Sequence, residues 1–421
     1  MRWTLKLYNT LTRRVETFQP RNDKVTLYVC GITPYDTTHV GHAFTYASMD
    51  VLIRYLELRG QKVKYVQNIT DVDDDILRRA KQDGQNWREL GNQWTAYYIQ
   101  DMQDLNIRPP DHFPRASEVI DEIIASVMKL LEAGVAYESG GNVFYSIHAW
   151  PEFGKLSRFS YSQMLPIANE RGNRPDDPNK RDPLDFVLWQ AHVPGEPFWE
   201  SPWGPGRPGW HIECSTMSTR FLGEVIDIHG GGEDLCFPHH ECEIAQVEPI
   251  TGKKPFVRFW MHTAMVGYKG EKMSKSLGNL VMIRDLWEKI RPDDVRLYLA
   301  SHHYRTSWSF NEDDLKKAQK LANRIKEAVT VSGGDKISLR PDPAWASFTV
   351  DMDNDLDTPG ALKVMDAFAG DILEAALARR DVKDAQAALR DFSSAFGLRL
   401  DHPDPEQRVK DGWSQYLQRF E

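Results

Sequence analysis

The amino-acid sequence predicts an α/β fold with a parallel sheet. Residues 24–29, KVTLYV, indicate a first strand because they alternate between two faces and are rich in β-branched and aromatic side chains. A helix follows, since apolar residues recur at helical spacing until Gly60, a typical helix-ending residue: Tyr46, Met49, Leu52, Ile53 and Leu56. Residues 62–70, KVKYVQNIT, predict the second strand. Such a βαβ unit binds nucleotides where its first strand meets its helix.

That junction carries a concentration of polar side chains, CGITPYDTTHVGHA at residues 30–43. His39 and His42 lie three residues apart around Gly41, so both imidazoles would share one face at the start of the helix. Amide groups at a helix N-terminus favour anions and a glycine allows close approach, which together suit a polyphosphate. A histidine cap pair on a solvated turn explains the same residues, and the motif alone favours this second interpretation.

Composition shifts divide the chain into four predicted parts. Residues 1–75 hold the first half of a nucleotide-binding domain, and residues 76–209 form an inserted α+β region that becomes rich in Pro, Gly and Asp. Strand-like segments resume in residues 210–310, so the sheet is predicted to be split around the insertion. Residues 311–421 predict a C-terminal helical domain, which a linker interrupts at 332–343.

Bulk composition excludes several classes of protein. The net charge of −9 over 421 residues argues against a surface coated for nucleic acid, although a local basic groove stays open. No apolar run reaches the ~18 residues of a membrane span, and the first residues lack the apolar core of a signal peptide. We therefore expect a soluble cytoplasmic protein with no membrane partner, whose four cysteines do not form a disulfide framework.

A second motif, GEKMSKSLGN at residues 270–279, places Lys272 and Lys275 in a short polar loop between two glycines. Such a loop can bring two ammonium groups to phosphate charge that develops in a reaction. Lysine-rich loops are more often simply soluble surface. The co-occurrence with the paired histidines favours the first interpretation.

Cysteine, histidine and glutamate residues from distant parts of the chain form a third candidate site. His239 and Glu243 are four residues apart and would point the same way on a helix. With the thiolates of Cys30 and Cys214 they would make a tetrahedral zinc site. The spacing is not that of a zinc finger, and by itself it favours buried structural cysteines.

Together, HVGH and KMSKS resemble the HIGH and KMSKS signatures of class I aminoacyl-tRNA synthetases. This resemblance implies a Rossmann-like nucleotide-binding domain with a connective insertion. It also implies activation of an amino acid by ATP, with Mg²⁺, to an aminoacyl-adenylate. The residues implied to be catalytic are His39, His42, Lys272 and Lys275.

Four further stretches are similar to cysteinyl-tRNA synthetases, and the similarity extends over roughly residues 3–330: GRPGWHIECS, DIHGGGEDLCFPHHECEIAQ, KRDPLDFVLW and NITDVDD. This resemblance implies one active-site Zn²⁺ held by Cys30, Cys214, His239 and Glu243, with Cys236 and Cys242 as buried thiols outside the pattern. It implies cysteine binding by Gly31, Thr70, Trp210 and Asp234, and ATP binding by Thr38, His39, Gly41, His42, His229, Gly231, Lys272 and Lys275. A thiolate bound to zinc distinguishes cysteine from serine far better than a pocket that only fills space.

The chain departs from that family at its first motif and towards its C-terminus. It reads CGITPYD, with Ile32 and Pro34, where typical members read CGPTVYD. The variant resembles the cysteine ligase of mycothiol biosynthesis, which transfers cysteine to the amine of glucosaminyl-inositol. The anticodon-binding module that usually ends the synthetases is expected to be missing, as it is in the ligase. Glu243 favours the synthetase, since the ligase family does not keep that acidic ligand.

The acceptor of the activated cysteine is the least determined part of the hypothesis. We expect L-cysteine and ATP as substrates and the 3′ end of tRNA(Cys) as acceptor. An amide-forming ligase that acts on a small amine is the alternative, and residues 283–305, similar to the synthetase's stem-contact fold, suit both. A basic face at Lys316, Lys320 and Arg324 is available to tRNA phosphates, although solvated charge is the commoner explanation.

A third alternative is an inactive paralogue that serves as a binding module. The intact HVGH and KMSKS motifs disfavour it. The sequence leaves the oligomeric state unknown.

Overall fold

The computed structural model describes residues 4–36, 38–273, 278–287, 290–400 and 407–420. Its strands are β1 (Lys6–Asn9), β2 (Arg14–Thr17), β3 (Lys24–Ile32), β4 (Lys62–Ile69), β5 (Ala136–Ser139), β6 (Asn142–Tyr145), β7 (Phe186–Ala191), β8 (Gly206–Pro208), β9 (Ile226–Gly232), β10 (Val257–Thr263), β11 (Val266–Tyr268), β12 (Glu271–Lys272) and β13 (Trp308–Phe310). Its α-helices are α1 (Val40–Leu58), α2 (Asp74–Asp83), α3 (Trp87–Asp104), α4 (Ile120–Glu132), α5 (Tyr161–Glu170), α6 (Trp210–Leu222), α7 (Glu241–Thr251), α8 (Ile283–Leu286), α9 (Pro292–Ala300), α10 (Glu312–Thr330), α11 (Asp342–Asp353), α12 (Thr358–Leu377), α13 (Lys383–Ala395) and α14 (Gln407–Leu417).

The central sheet has four parallel strands in the order β10-β9-β3-β4. β3 and β4 are the two predicted strands of the βαβ unit, and α1 is the predicted helix between them. β9 lies beside β3, with Ile228 opposite Leu27. The sheet is therefore split around the insertion, as the sequence predicted. The C-terminal ends of β3 and β9 meet side by side, which is where open α/β sheets bind their ligands.

The helix α1 begins and ends at local sequence signals. His39 is the N-cap residue, and its side chain accepts hydrogen bonds from the amides of Gly41 and His42. At the other end Gly60 has a φ of +80°, and its amide donates to the Glu57 carbonyl at 2.9 Å. Glycine adopts this left-handed conformation without strain, so Gly60 ends the helix as predicted.

The insertion carries its own antiparallel sheet, in the order β5-β6-β7-β8. β5 and β6 form a hairpin, with Gly140 and Gly141 between them. Trp189 of β7 packs edge-on against Trp203 at 6.0 Å between ring centroids, which orders the proline-rich loops. The apolar core of the insertion is continuous with one face of the central sheet, because it includes Tyr28 of β3.

Helices fill the C-terminal part of the chain, as predicted. α10, α12 and α13 pack together and against α9, while α13 also contacts α1. α14 returns to α3, and Trp413 donates its indole N–H to the Ile107 carbonyl at 2.8 Å. The predicted linker lies between α10 and α11, where Gly334 donates its amide to the Arg380 carbonyl at 2.7 Å. None of the described helices is both long and apolar enough to cross a membrane. The four-part division of the chain stays a prediction.

A buried ion network fastens α1 to α9. Asp50 Oδ2 lies 2.8 Å from Arg54 Nε and 2.5 Å from Arg296 Nη2, and all three side chains are almost completely buried. Backbone carbonyls compensate the second positive charge, because Arg54 donates to Asn106 and Arg296 donates to Leu105. Burial by itself would raise the pKa of Asp50, but the two guanidinium groups hold that pKa below its usual value. The carboxylate is therefore charged in the folded protein.

Asp50→Asn should lower the stability of the folded chain strongly, because two buried guanidinium groups lose their counter-charge. Breaking a buried ion pair typically costs about 3–5 kcal/mol. We expect a clear drop in the urea midpoint of unfolding, followed by tryptophan fluorescence. Asp83→Asn is the matched control, since its ion pair with Arg79 is about a third exposed and should contribute at most about 1 kcal/mol. Equal midpoints for the two variants would contradict this account of the network.

Candidate active site

A cavity of about 1170 Å³ opens at the C-terminal ends of β3 and β9. Its walls come from the start of α1, the start of α6 and the insertion. The predicted site residues that line it are Cys30, Gly31, Thr38, His39, Gly41, His42, Trp210 and Asp234. Residues from distant parts of the sequence thus meet in one space of the size that ligand sites in proteins occupy.

The four predicted metal ligands come together beneath this cavity. Cys30 lies near the end of β3, Cys214 in α6, Glu243 in the first turn of α7, and His239 in the turn that precedes α7. The two Sγ atoms are 3.9 Å apart, and Cys30 Sγ lies 3.8 Å from Glu243 Oε1. His239 Nε2 lies 3.3 Å from the same carboxylate oxygen. The expected helical pairing of His239 with Glu243 is thus made although His239 stands just outside the helix.

The chemistry of this donor set fits zinc. Two thiols, an imidazole and a carboxylate are ligand types that zinc takes in proteins, and all four residues are buried. Zinc bonds of about 2.0–2.3 Å place the ligand atoms of a tetrahedron roughly 3.3–3.8 Å apart, close to the separations found here. Burial raises the pKa of the Cys30 thiol, and Cys214 and Glu243 raise that pKa further, so a thiolate at this position needs a cation beside it.

His240 and His229 adjoin the cluster, and the sequence motifs pointed to His229 but not to His240. His240 Nε2 lies 3.3 Å from Cys30 Sγ, and its Nδ1 lies 2.8 Å from His262 Nε2. With Cys30, Glu243 and His229 it forms an alternative donor set of the same compactness. The double histidine at 239–240 was the available signal, but a turn decides which of two neighbouring side chains faces the thiols.

His239 and His240 are held in their neutral form. Burial lowers the pKa of His239 and His240 well below the usual value, and neighbouring histidines lower it further. His239 Nδ1 lies 2.9 Å from His211 Nδ1, which leaves Nε2 directed at Glu243. A neutral imidazole with one nitrogen fixed by a partner is the state in which histidine binds metals.

His229 and Gly231, expected near the adenylate, lie behind the cavity wall. His229 is fully buried, with its Nε2 3.0 Å from Glu243 Oε2. Its Nδ1 has no hydrogen-bond partner among the described residues. Gly232, which follows Gly231 at the end of β9, does line the cavity. The structure therefore groups His229 with the candidate metal ligands, and its contact with ATP stays a prediction.

Of the predicted cysteine-binding residues, Gly31, Trp210 and Asp234 line the cavity and Thr70 does not. Gly31 donates its amide to the Asn68 side chain at 2.8 Å, and a Cβ at Gly31 would lie 1.6 Å from the Asn68 carbonyl oxygen. Thr70 is buried and donates its amide to the Ile32 carbonyl at 2.9 Å. Because β3 and β4 approach so closely here, no side chain larger than hydrogen fits at Gly31.

The other two residues of this group have aromatic and charged neighbours. The Trp210 ring stacks on His239 at 4.3 Å between centroids. Asp234 pairs with Arg171 of the insertion, with 3.1 Å between oxygen and nitrogen. The cavity therefore has an aromatic lining at Trp210, and the insertion contributes Arg171 to the lining beside Asp234.

The predicted ATP-binding histidines stand at the start of α1. His39 Nδ1 accepts from the Gly41 amide at 3.0 Å, and the rings of His39 and His42 stack at 3.8 Å. This geometry is compatible with a histidine cap on the helix, because His39 is the N-cap residue. It is equally compatible with binding of a polyphosphate, because both histidines line the cavity. Lys275 lies outside the described residues, as does the side chain of Lys272.

The chain is similar to known proteins in both sequence and structure. The family model for the class I (C) tRNA synthetase catalytic domain matches residues 17–320. An L-cysteine:1D-myo-inositol 2-amino-2-deoxy-alpha-D-glucopyranoside ligase of Thermomonospora curvata is 45% identical over 383 residues, covering 91% of each chain. A cysteine–tRNA ligase of Thermococcus onnurineus is 44% identical over 377 residues, covering 86% of this chain and 78% of that protein.

Among solved structures, the methionyl-tRNA synthetase of Mycobacterium tuberculosis in complex with methionyl-adenylate superposes with a TM-score of 0.65. The match covers 93% of both chains at 15% sequence identity, so it bears on the fold alone. It confirms the predicted fold class.

Glu243→Ala should weaken metal retention, because it removes one of the four clustered donor groups. Loss even of groups that only support metal ligands typically weakens binding by about 10–100-fold, so we expect at least a tenfold loss of zinc affinity. Zinc content after dialysis against a chelator, measured by elemental analysis, reports it. The control is Cys236→Ser, a thiol outside both clustered donor sets. Zinc content equal to that of the unmodified protein would remove Glu243 from the ligand set.

Proposed function

The chain belongs to the family of class I (C) tRNA synthetases, and from this membership we propose that it joins L-cysteine to ATP, giving cysteinyl-adenylate and pyrophosphate. An oxygen of the cysteine carboxylate attacks the α-phosphorus of ATP, and pyrophosphate leaves. The cysteinyl group then passes to an acceptor with release of AMP.

One observation carries the choice of amino acid: the buried set of Cys30, Cys214, His239 and Glu243 under the same cavity as His39 and His42. Zinc bound there would take the substrate sulfur as a thiolate, a selection that the hydroxyl of serine does not satisfy. Trp210 and Gly31 close the space around the side chain, and Thr70 and Asp234 hold the amino acid. Discrimination by a space-filling pocket would reach only about 1–3 kcal/mol for so small a difference.

The nucleotide would lie across the start of α1. His39 and His42 contact the phosphates there, Gly41 allows the close approach, the positive end of the helix favours the negative charge, and Thr38 completes the edge. Lys272 and Lys275 add positive charge as pyrophosphate leaves, and Mg²⁺ accompanies ATP. Catalysis on this scheme is positioning and charge stabilisation rather than covalent participation of the protein.

For the acceptor we propose the 3′ end of tRNA(Cys), whose terminal ribose hydroxyl would attack the activated carbonyl and form an ester. Support comes from the relatives named cysteine–tRNA ligase and from Glu243, which provides the acidic member of the donor set. The second candidate is an amine of an aminosugar–inositol, which would form an amide. It is supported by Ile32 and Pro34 in the first motif and by the T. curvata ligase, which is covered over 91% of its length.

Cysteine should support exchange of labelled pyrophosphate into ATP, whereas serine should not, because only sulfur meets the requirement of the donor set. The measurement is radiolabel incorporated into ATP at saturating amino acid. Both acceptor candidates predict this result. Absence of exchange with every amino acid would leave the inactive binding module standing, and equal exchange with serine would refute the thiolate selection.

The acceptor is identified by incubating the protein with ATP, labelled cysteine and either a tRNA(Cys) transcript or glucosaminyl-inositol. We expect an acid-precipitable product with the transcript that alkali releases, because an aminoacyl ester is labile to base. An alkali-stable conjugate with the amine and no charged tRNA would establish the second candidate instead. A tRNA transcript for another amino acid is the matched control.

A further inference from the structure

A short segment after the lysine-bearing loop is hydrogen-bonded directly to the start of α1. Val40 donates its amide to the Val281 carbonyl at 2.9 Å, and Ile283 donates its amide to the Thr38 carbonyl at 3.1 Å. Met282 pairs with His39 as an isolated antiparallel bridge. Residues 281–283, here called the clamp segment, therefore flank the very residue that caps α1.

Arg284, the next residue, anchors this segment to α3. Its Nε lies 2.7 Å from Asp101 Oδ1, and its Nη2 donates to the Tyr97 carbonyl at 2.7 Å. The guanidinium group also lies over the Tyr97 ring, 4.5 Å from the centroid. Three kinds of contact from one side chain thus fix the end of the clamp segment.

Asp101 meets the start of α1 from the other side. Its side chain is completely buried, while Arg284 is 31% exposed. Burial raises the pKa of Asp101 to about 6, opposed by the charge of Arg284 and by polar groups of Thr38. A buried carboxylate costs free energy unless a cation pairs with it, and for Asp101 that cation is Arg284. The pair therefore joins α3 to the clamp segment, whose Ile283 is hydrogen-bonded to Thr38, the residue that precedes His39.

We propose that Asp101 and Arg284 are positioning residues that hold His39 and His42 in register for ATP. Neither residue lines the cavity. They act through the clamp segment, which fixes Thr38 and Val40 on both sides of His39. The inference rests on the proposed function, since it assigns the two histidines to the nucleotide.

The same geometry separates ATP from cysteine. Cys30 and Gly31 belong to β3, and Trp210 and Cys214 belong to α6, with no hydrogen bond to the clamp segment among the contacts described. Loosening the clamp segment therefore shifts the start of α1 and leaves the cysteine end of the cavity in place. A residue that only stabilised the fold would affect both substrates alike.

The test is kinetic and uses the full chain. Arg284→Ala and Asp101→Asn should each raise the KM for ATP about tenfold in cysteine-dependent pyrophosphate exchange, with the KM for cysteine changed less than twofold. The double variant should be no worse than the worse single variant, because both remove one interaction. Arg284→Lys, which keeps the charge but loses the fork of donors, should restore part of the loss.

Arg291→Ala is the matched control. Arg291 also pairs with a buried aspartate, Asp294, at 2.7 Å, but has no contact with α1 among those described. It should leave the KM for ATP unchanged. Equal rises of both KM values in the Arg284 and Asp101 variants, or a rise in the Arg291 variant as large as theirs, would overturn the proposal.

A second measurement does not depend on catalysis. Hydrogen exchange at the amides of Val40 and Ile283, which the clamp segment and α1 protect reciprocally, should accelerate in Arg284→Ala and not in Arg291→Ala. Unchanged exchange at both amides would overturn the proposal even if activity fell. If the unmodified protein shows no cysteine-dependent exchange of pyrophosphate, the proposed function fails, and the amide exchange alone decides whether Arg284 holds the start of α1.

Discussion

Burial of four side chains of the types that bind metals, at one point, is the constraint on which the rest of the structure depends. Cys30, Cys214, His239 and Glu243 lie in the interior at separations of 3.3–3.9 Å where they are in direct contact. Such groups cost free energy when buried without partners, and a bound cation removes that cost. The strands and helices that carry these side chains are packed so that the four donor groups meet at one position.

The split parallel sheet brings these side chains together. Cys30 and His229 are on neighbouring strands, β3 and β9, although almost 200 residues separate them in sequence. α6 and α7 cross the same face and add Cys214 and Glu243. Because the insertion shares its apolar core with that face, it also walls the cavity, and its Arg171 reaches Asp234. The insertion is thus part of the site and not a separate appendage.

The end of the cavity that His39 and His42 line is supported in a different way. The start of α1 buries the apolar side chains of Val40, Ala43 and Phe44 in the core. Hydrogen bonds from residues 281–283 add polar contacts on both sides of His39, and the ion pair of Arg284 with Asp101 lies next to them. Further along the same helix, Asp50 joins α1 to α9 and so to the C-terminal helices. The helix is held at its start by apolar packing and polar contacts and further along by a buried charge network. The start of α1 is therefore in contact with residues from well outside the βαβ unit.

The sequence by itself determined those features that local periodicity and short motifs encode: the strands around 24–29 and 62–70, the end of α1 at Gly60 and the helical C-terminal part. It also indicated which residues are chemically suited to a site, because Cys, His and Glu in distinctive motifs stand out without a structure. Tertiary structure alone decided which of them meet. His240 adjoins Cys30 through a turn, His229 lies with Glu243 behind the cavity wall, and Arg284 pairs with Asp101 from a separate helix. Such pairings have no sequence signature, because they arise from the packing of elements that are far apart in the chain and not from the residues beside them.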